Sequence, residues 1–299
     1  MLKRLRIYFK ERYPLLARFV LGGIVFLEIY FIILLNNDIT AFQLGIQELI
    51  GAYTVFAFLM WLRIADDLKD YETDLRLFPD RPLPSGRVTK KDIIIICIIV
   101  QAIAVVLNLL FMNNFLFFCV LYAYGYLMSK WFFRKKVIQP SLPLALITHN
   151  PVQMFVNIYI ISFTVIKYGL KPVTLFTVLA LWTLYFPALI WEVSRKIKAP
   201  KDENDYTTYS KLFGYKKSTV FVMILTLVDI VTNMILVYKL NRMTIVLFII
   251  LVAWMVWKFL SFIKNPDRFV LVQKVEIYTY IQESLMLLTI VLFLIVGRV

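Results

Sequence analysis

Apolar residues in this chain arrive in nine runs of about twenty, and that grouping dictates the fold. A helix rises about 1.5 Å per residue, so about twenty residues cross a hydrocarbon core of about 30 Å. In lipid each backbone N–H and C=O must find its partner within the protein, and a continuous run of this length does so as a helix. The runs fall at about 16–35, 43–64, 92–112, 114–132, 141–163, 172–194, 217–238, 243–263 and 276–297. The third and fourth nearly touch across Met112, Asn113 and Asn114, which predicts a tight hairpin. Every other break carries Lys, Arg, Asn or Pro. A hydrophobic share of 61% exceeds the roughly half-apolar content of a soluble domain. The expectation is an all-α, polytopic membrane protein with nine transmembrane helices, in one domain over residues 1–299.

The first fourteen residues, MLKRLRIYFKERYP, are basic and amphipathic and have no small-residue cleavage site. Residues 1–15 therefore read as an interfacial segment leading into the first run. The net charge of +14 is explained by topology and not by nucleic acid. With the N-terminus in the cytoplasm, 28 of the 33 Lys and Arg fall on that side, as the positive-inside rule requires. Cys97 and Cys119 lie inside apolar runs, where they read as small core residues without metal or disulfide spacing.

Chemistry concentrates in two breaks, at 65–91 and 195–216. The first holds five of the nineteen acidic residues, Asp66, Asp67, Asp70, Glu72 and Asp74. If the preceding helix continues past Ile64, Asp66, Asp70 and Asp74 form one stripe, drifting roughly 40° per step. Such carboxylates repel unless a cation sits among them, and Mg²⁺ takes one or two of them when phosphates fill its other positions. A solvated acidic helix end is the competing reading. Asp67 and Glu72 point elsewhere. In the second break Glu192 ends an apolar helix, where it needs a partner: Lys196 four residues on, or a metal. Arg195, Lys196, Lys198 and Lys201 form a basic cluster, followed by Asp202, Glu203 and Asp205.

Three further places stand out. Tyr126 and Lys130 share a helix face, where an interfacial Tyr with a snorkelling Lys is the plain reading. His149-Asn150-Pro151 interrupts the fifth run, and Pro151 predicts a kink there. His149 has no Cys or His neighbours and so makes a poor metal site; hydrogen bonding suits it better than catalysis. Asp229 and Glu283 are intramembrane acids, either functional or clasps between helices.

Together these features resemble the UbiA superfamily of intramembrane prenyltransferases over nearly the whole chain. The first motif of that family, Asn-Asp-x-x-Asp-x-x-x-Asp followed by Arg-Pro-Leu-Pro-Ser-Gly, is matched by Asp66-Asp67-x-x-Asp70-x-x-x-Asp74 and Arg81-Pro82-Leu83-Pro84-Ser85-Gly86. Asp66 replaces the usual Asn. The family's Tyr-x-x-x-Lys motif is matched by Tyr126 and Lys130. The second motif departs: Glu192-x-x-x-Lys196 stands where the family has Asp-x-x-x-Asp, and Asp202, Glu203 or Asp205 would have to supply the missing carboxylate.

The resemblance implies nine helices around a central cavity with cytoplasmic cap loops, and Mg²⁺-dependent transfer of a prenyl group from a polyprenyl diphosphate to an acceptor. It implies Asp66, Asp70, Asp74 and Glu192 as metal ligands. Lys130, Arg195, Lys196 and Arg81 would contact the diphosphate, and Tyr126 would donate a hydrogen bond. His149, Asn150 and Asp229 are the candidate acceptor contacts. Membrane lipid is the remaining expected partner. Terpene cyclisation, phosphoribosyl transfer to a polyprenyl phosphate and non-catalytic lipid carriage are the alternatives on the same fold.

Overall fold

Fifteen α-helices make up nearly all the regular structure in this computed structural model, which describes residues 1–203 and 207–297; no strand occurs among the described residues. Among the described residues eight helical stretches are long and apolar enough to cross a membrane. They are α2 (Leu15–Asn36), α3 (Ile46–Lys69), α5 (Lys90–Phe111), the pair α8 (Leu142–His149) and α9 (Val152–Tyr168), the pair α10 (Leu175–Trp182) and α11 (Tyr185–Ser194), α13 (Tyr215–Val237), α14 (Arg242–Lys264) and α15 (Leu271–Val296). The amphipathic α1 (Leu2–Glu11) precedes them, and the short α4 (Tyr71–Leu77), α7 (Lys135–Ile138) and α12 (Tyr209–Phe213) lie in the connections.

The fourth predicted run, 114–132, is shorter than expected. It forms α6 (Phe115–Ser129), fifteen residues or about 22 Å. The chain leaves the helix after Lys130 through Trp131, Phe132 and Phe133, all at positive φ. The acidic break is correspondingly more helical than a loop. With no Gly or Pro before Pro79, backbone bonds of helical spacing run on, from Asp70 N–H to the Asp66 carbonyl (2.9 Å) and from Asp74 N–H to the Asp70 carbonyl (2.8 Å).

Two runs are broken inside. Pro151 has no N–H to return to the preceding turn, so α8 stops at His149 and α9 restarts at Val152. In the next run the break falls at Thr183 and Leu184, with Leu184 at φ +60°. Pro187 cannot donate to the carbonyl of Thr183, four residues back. Asn157 fills the gap: its Nδ2 donates to the carbonyls of Thr183 (2.5 Å) and Leu181 (3.0 Å).

The chain forms two compact units. The first comprises Met1–Tyr30, Phe42–Lys135 and Ile158–Leu170. There α3, α5 and α9 are joined by buried polar clasps, since lipid offers polar groups no partner. Asn108 Nδ2 donates to Thr54 Oγ1 (2.7 Å), and Tyr159 Oη donates to Asn108 Oδ1 (2.7 Å). Gly125 lets α6 approach α3 so closely that a Cβ would lie 2.5 Å from Trp61. Helix α1 is fastened by Arg4, whose Nη2 donates to Asp92 Oδ1 at 3.0 Å. The second unit comprises Phe31–Ala41, Lys136–Asn157 and the chain from Lys171 onward. Its core includes Ile230, Phe248, Met255, Phe259, Val275 and Met286.

Candidate functional site

In the first unit the acidic motif occupies the joint between α3 and α4. Asp66, in the last turn of α3, keeps an exposed carboxylate that accepts from Lys69 Nζ at 2.8 Å. Asp70 is the joint itself, with ψ at 9°. Asp74 is buried in α4 and accepts from Arg81 Nη1 at 2.8 Å. Arg81 also lies 3.8 Å over the Phe78 ring, which fixes its guanidinium plane. It is carried by the turn that Pro82, Pro84 and Gly86 (φ +74°) shape.

Burial pushes the Asp70 carboxyl above the usual carboxylate range. The charges of Asp66 and Asp74 push the same way, against Lys69 and Lys135. The three carboxylates therefore act on one another electrostatically across the α3–α4 joint. They do not converge: among the described residues no three Asp, Glu, His or Cys side chains form a ready metal cage. Lys69 and Arg81 hold the positions of positive charge at Asp66 and Asp74. The donor chemistry, carboxylate oxygens alone, fits a hard divalent ion that keeps water and phosphate as its other ligands.

Asp67 faces away and is fully engaged. It is buried and accepts from Tyr8 Oη (2.8 Å), Arg12 Nη2 (2.6 Å) and Arg63 Nη2 (2.5 Å). The sequence set Asp67 aside as a ligand but could not show these partners, two of which lie in or just after α1.

Lys130 caps α6 and opens onto a cavity of about 460 Å³ within the first unit. Lys69 and Lys135 line the same cavity, with the indoles of Trp61 and Trp131. Tyr126 is not part of that lining; it is half exposed, with its ring edge-on to Phe133 at 6.5 Å.

In the second unit Glu192 ends α11. Its carboxylate accepts from Arg195 Nε (2.6 Å) and Nη2 (2.7 Å), and Lys196 Nζ lies 3.0 Å away. Of the two partners the spacing allows, Lys196 is therefore engaged. The basic turn folds back on α12, where Tyr209 N–H donates to the Lys196 carbonyl (2.9 Å) and Lys198 N–H to Ser210 Oγ (2.8 Å). Trp191 Nε1 donates to Glu276 at 2.9 Å and thereby ties this end of α11 to α15. Glu203 accepts from the Thr208 hydroxyl, Asp202 lies in a 3₁₀ turn, and Asp205 lies outside the described residues.

The acceptor candidates fall in two places, the break after α8 and the middle of α13. His149 ends α8, with Nδ1 2.9 Å from Thr148 Oγ1. Asn150 sits in the break, its Nδ2 buried without a hydrogen-bond partner among the described residues. Asp229 is buried in α13, where Oδ1 accepts from Asn233 at 2.9 Å. Sequence reasoning missed Asn157, although Pro187 signals a carbonyl in need of a donor.

Residues 32–270, which contain both acidic segments, match the UbiA prenyltransferase family. A solved structure described as giving structural and mechanistic insights into the biosynthesis of digeranylgeranylglyceryl phosphate synthase in membranes has the same fold. The TM-score is 0.64, with 99% of each chain covered at 17% identity. No curated protein matches the chain by sequence.

Proposed function

We propose that this chain, which belongs to the UbiA prenyltransferase family, transfers a prenyl group from a polyprenyl diphosphate to an acceptor within the membrane, with Mg²⁺ as cofactor. The carrying observation is the electrostatic coupling of Asp66, Asp70 and Asp74, in which the Asp70 carboxyl is raised by burial and by its acidic neighbours. These three would hold one Mg²⁺, and Glu192 is the candidate ligand of a second. The bound ion supplies charge neutralisation for a departing diphosphate.

The chain's own residues do the rest. Arg81 orients Asp74 and presents a planar fork suited to phosphate oxygens. Lys130 supplies a cation to the cavity wall, and Tyr126 a phenol one turn earlier. In the second motif Glu192 holds Arg195 and Lys196 side by side, so that this segment acts on phosphate as a cationic pair where the family pattern has a second carboxylate. An allylic cation requires surroundings without nucleophiles or water, which apolar and aromatic side chains provide. The buried amide of Asn150, with His149 beside it, and the Asp229 carboxylate are polar groups suited to an acceptor. The distribution of Lys and Arg supports a cytoplasmic location for the N-terminus and both motifs.

The test is turnover by the purified chain in lipid nanodiscs. Geranyl, farnesyl and geranylgeranyl diphosphates are offered with and without Mg²⁺, and with and without a membrane lipid extract. The expected result is a prenylated lipid or aromatic product that requires extract and metal and is lost in Asp70→Asn. A cyclic hydrocarbon from donor alone, or turnover indifferent to EDTA, would overturn the reading.

A further inference from the structure

We infer that the outward face of α1 is a docking surface for the headgroups of anionic phospholipids, and that lipid held there by Lys3, Arg6 and Lys10 steadies α1 on the acidic motif. This surface is separate from the transfer reaction and serves whatever the acidic motif binds.

The charged residues of this segment divide by face. Arg4, Glu11 and Arg12 are paired with Asp92, Arg87 and Asp67. Leu5 and Tyr8 are buried among them. At about 100° per residue, Glu11, Arg4, Tyr8 and Leu5 cover an arc of roughly 120°. Lys3, Arg6 and Lys10 fall on the opposite side, within about 60° of one another. All three are exposed, and none forms an ion pair among the described residues. Cations three and four residues apart on one helix face repel, and an anion laid across them reverses the sign. Leu2, which is 78% exposed, borders the stripe at about 40° from Arg6.

Continuity with a membrane span selects the anion. Only Arg12, Tyr13 and Pro14 separate α1 from α2, which is long and apolar enough to cross a membrane. The four steps from Glu11 to Leu15 reach at most about 14 Å. The headgroup layer outside the hydrocarbon is itself about 5–8 Å thick, so α1 is held close to it. A membrane surface takes cations and a neighbouring leucine together, whereas a soluble acidic partner has no use for the leucine. On an anionic leaflet each Lys or Arg beside a span gains about fivefold in binding. The inward face carries the effect to the motif. Tyr8 and Arg12 donate to Asp67 at 2.8 and 2.6 Å, so the pose of α1 and the last turns of α3 are fastened together. Ten residues are too few for a stable isolated helix, and the cations therefore form a stripe only while α1 is docked. Lipid that binds the stripe favours the docked pose by that difference in affinity.

The experiment measures hydrogen exchange of the full chain in nanodiscs of phosphatidylcholine, with and without phosphatidylglycerol. The variant is the triple substitution Lys3→Gln, Arg6→Gln and Lys10→Gln, which empties the stripe and leaves the ion pairs of α1 in place. Unfolding midpoints in phosphatidylcholine alone establish that it folds. In the wild type, phosphatidylglycerol is expected to slow exchange across α1 and across Asp66–Asp74 by about fivefold or more. The slowing is absent in the triple variant and fades at high salt. Native mass spectrometry retains fewer phosphatidylglycerol molecules on the variant than on the wild type. Equal wild-type exchange in the two lipid mixtures overturns the inference, as does the same slowing in the triple variant. Protection by polyglutamate where phosphatidylglycerol gives none assigns the stripe to an acidic protein and overturns it too. Slowing confined to α1 overturns the link to the motif. Because the readout is exchange, absence of turnover with every donor would refute the proposed function without touching this result.

Discussion

Arg12 donates from Nη2 to Oδ1 of Asp67 at 2.6 Å, fastening the residue that follows α1 to the second aspartate of the acidic motif. Tyr8 and Arg63 complete the set, so Asp67 is a structural anchor beside the carboxylates proposed to bind metal. Removing one donor leaves a buried carboxylate with two. Arg12→Ala should cost about 1–3 kcal/mol and Tyr8→Phe about 1–2. Thermal unfolding of the two single variants and the double variant would give a coupling between them, since all three residues share one network.

Gly125 and Gly23 make a matched pair. A Cβ at Gly125 would meet Trp61 at 2.5 Å and Phe58 at 2.9 Å, whereas one at Gly23 would meet nothing within 4 Å. Gly125→Ala should destabilise by about 1–3 kcal/mol through overpacking. It should also shift tryptophan emission, because Trp61 must move. Gly23→Ala should stabilise by about 0.5–1 kcal/mol, as expected for a helix interior.

Asn157 serves backbone where the α10–α11 break exposes it. Asn157→Leu keeps the volume roughly constant and removes the donor to Thr183 and Leu181. An orphaned buried carbonyl costs about 1–3 kcal/mol. Hydrogen exchange should accelerate across Leu184–Ile190, and turnover should fall because α11 carries Glu192.

Glu192 neutralises two neighbours, so its loss and theirs should differ in kind. Glu192→Ala leaves Arg195 and Lys196 repelling each other. Lys196→Ala removes one cation and leaves the Arg195 fork in place. Both should lower turnover. Near wild-type rates in both variants would remove the second motif from the chemistry.

The Glu11–Arg87 pair sets an acid limit on the docking of α1. The Arg87 guanidinium holds the Glu11 carboxyl below its ordinary 4.5. A depressed carboxyl contributes stability above its unfolded value, and that contribution is lost as pH falls through the folded one. Exchange of α1 amides should therefore rise below about pH 4.5. The rise should flatten in Glu11→Gln, and high salt at neutral pH should mimic it, since both side chains are exposed.

Helices were legible wherever about twenty apolar residues run together, because lipid leaves the backbone no other outlet. The kink at Pro151 was legible because proline has no N–H to donate to the preceding turn. The shortness of α6 was not: positive φ at Trp131, Phe132 and Phe133 is held by tertiary contacts, and no Gly or Asn marks it. At the candidate site, spacing disclosed what lies within one or two turns, namely the Asp66–Asp70–Asp74 stripe and the Glu192–Lys196 pair. It could not disclose partners such as Arg12 for Asp67, 55 positions away. Nor could it show that Lys69 and Lys135 share a cavity with Lys130, since that depends on how α3 meets α6.

The fastening of α1 also has an order in time. Its Arg4 waits for Asp92, 88 residues further along the chain. At roughly 5–20 residues per second of synthesis, that partner emerges on the order of ten seconds later. Until Asp67 is made, 55 residues after Arg12, α1 has neither carboxylate to grip, and its apolar face is left to the membrane surface. Helix α1 is thus locked only once α2, α3 and the start of α5 have been made.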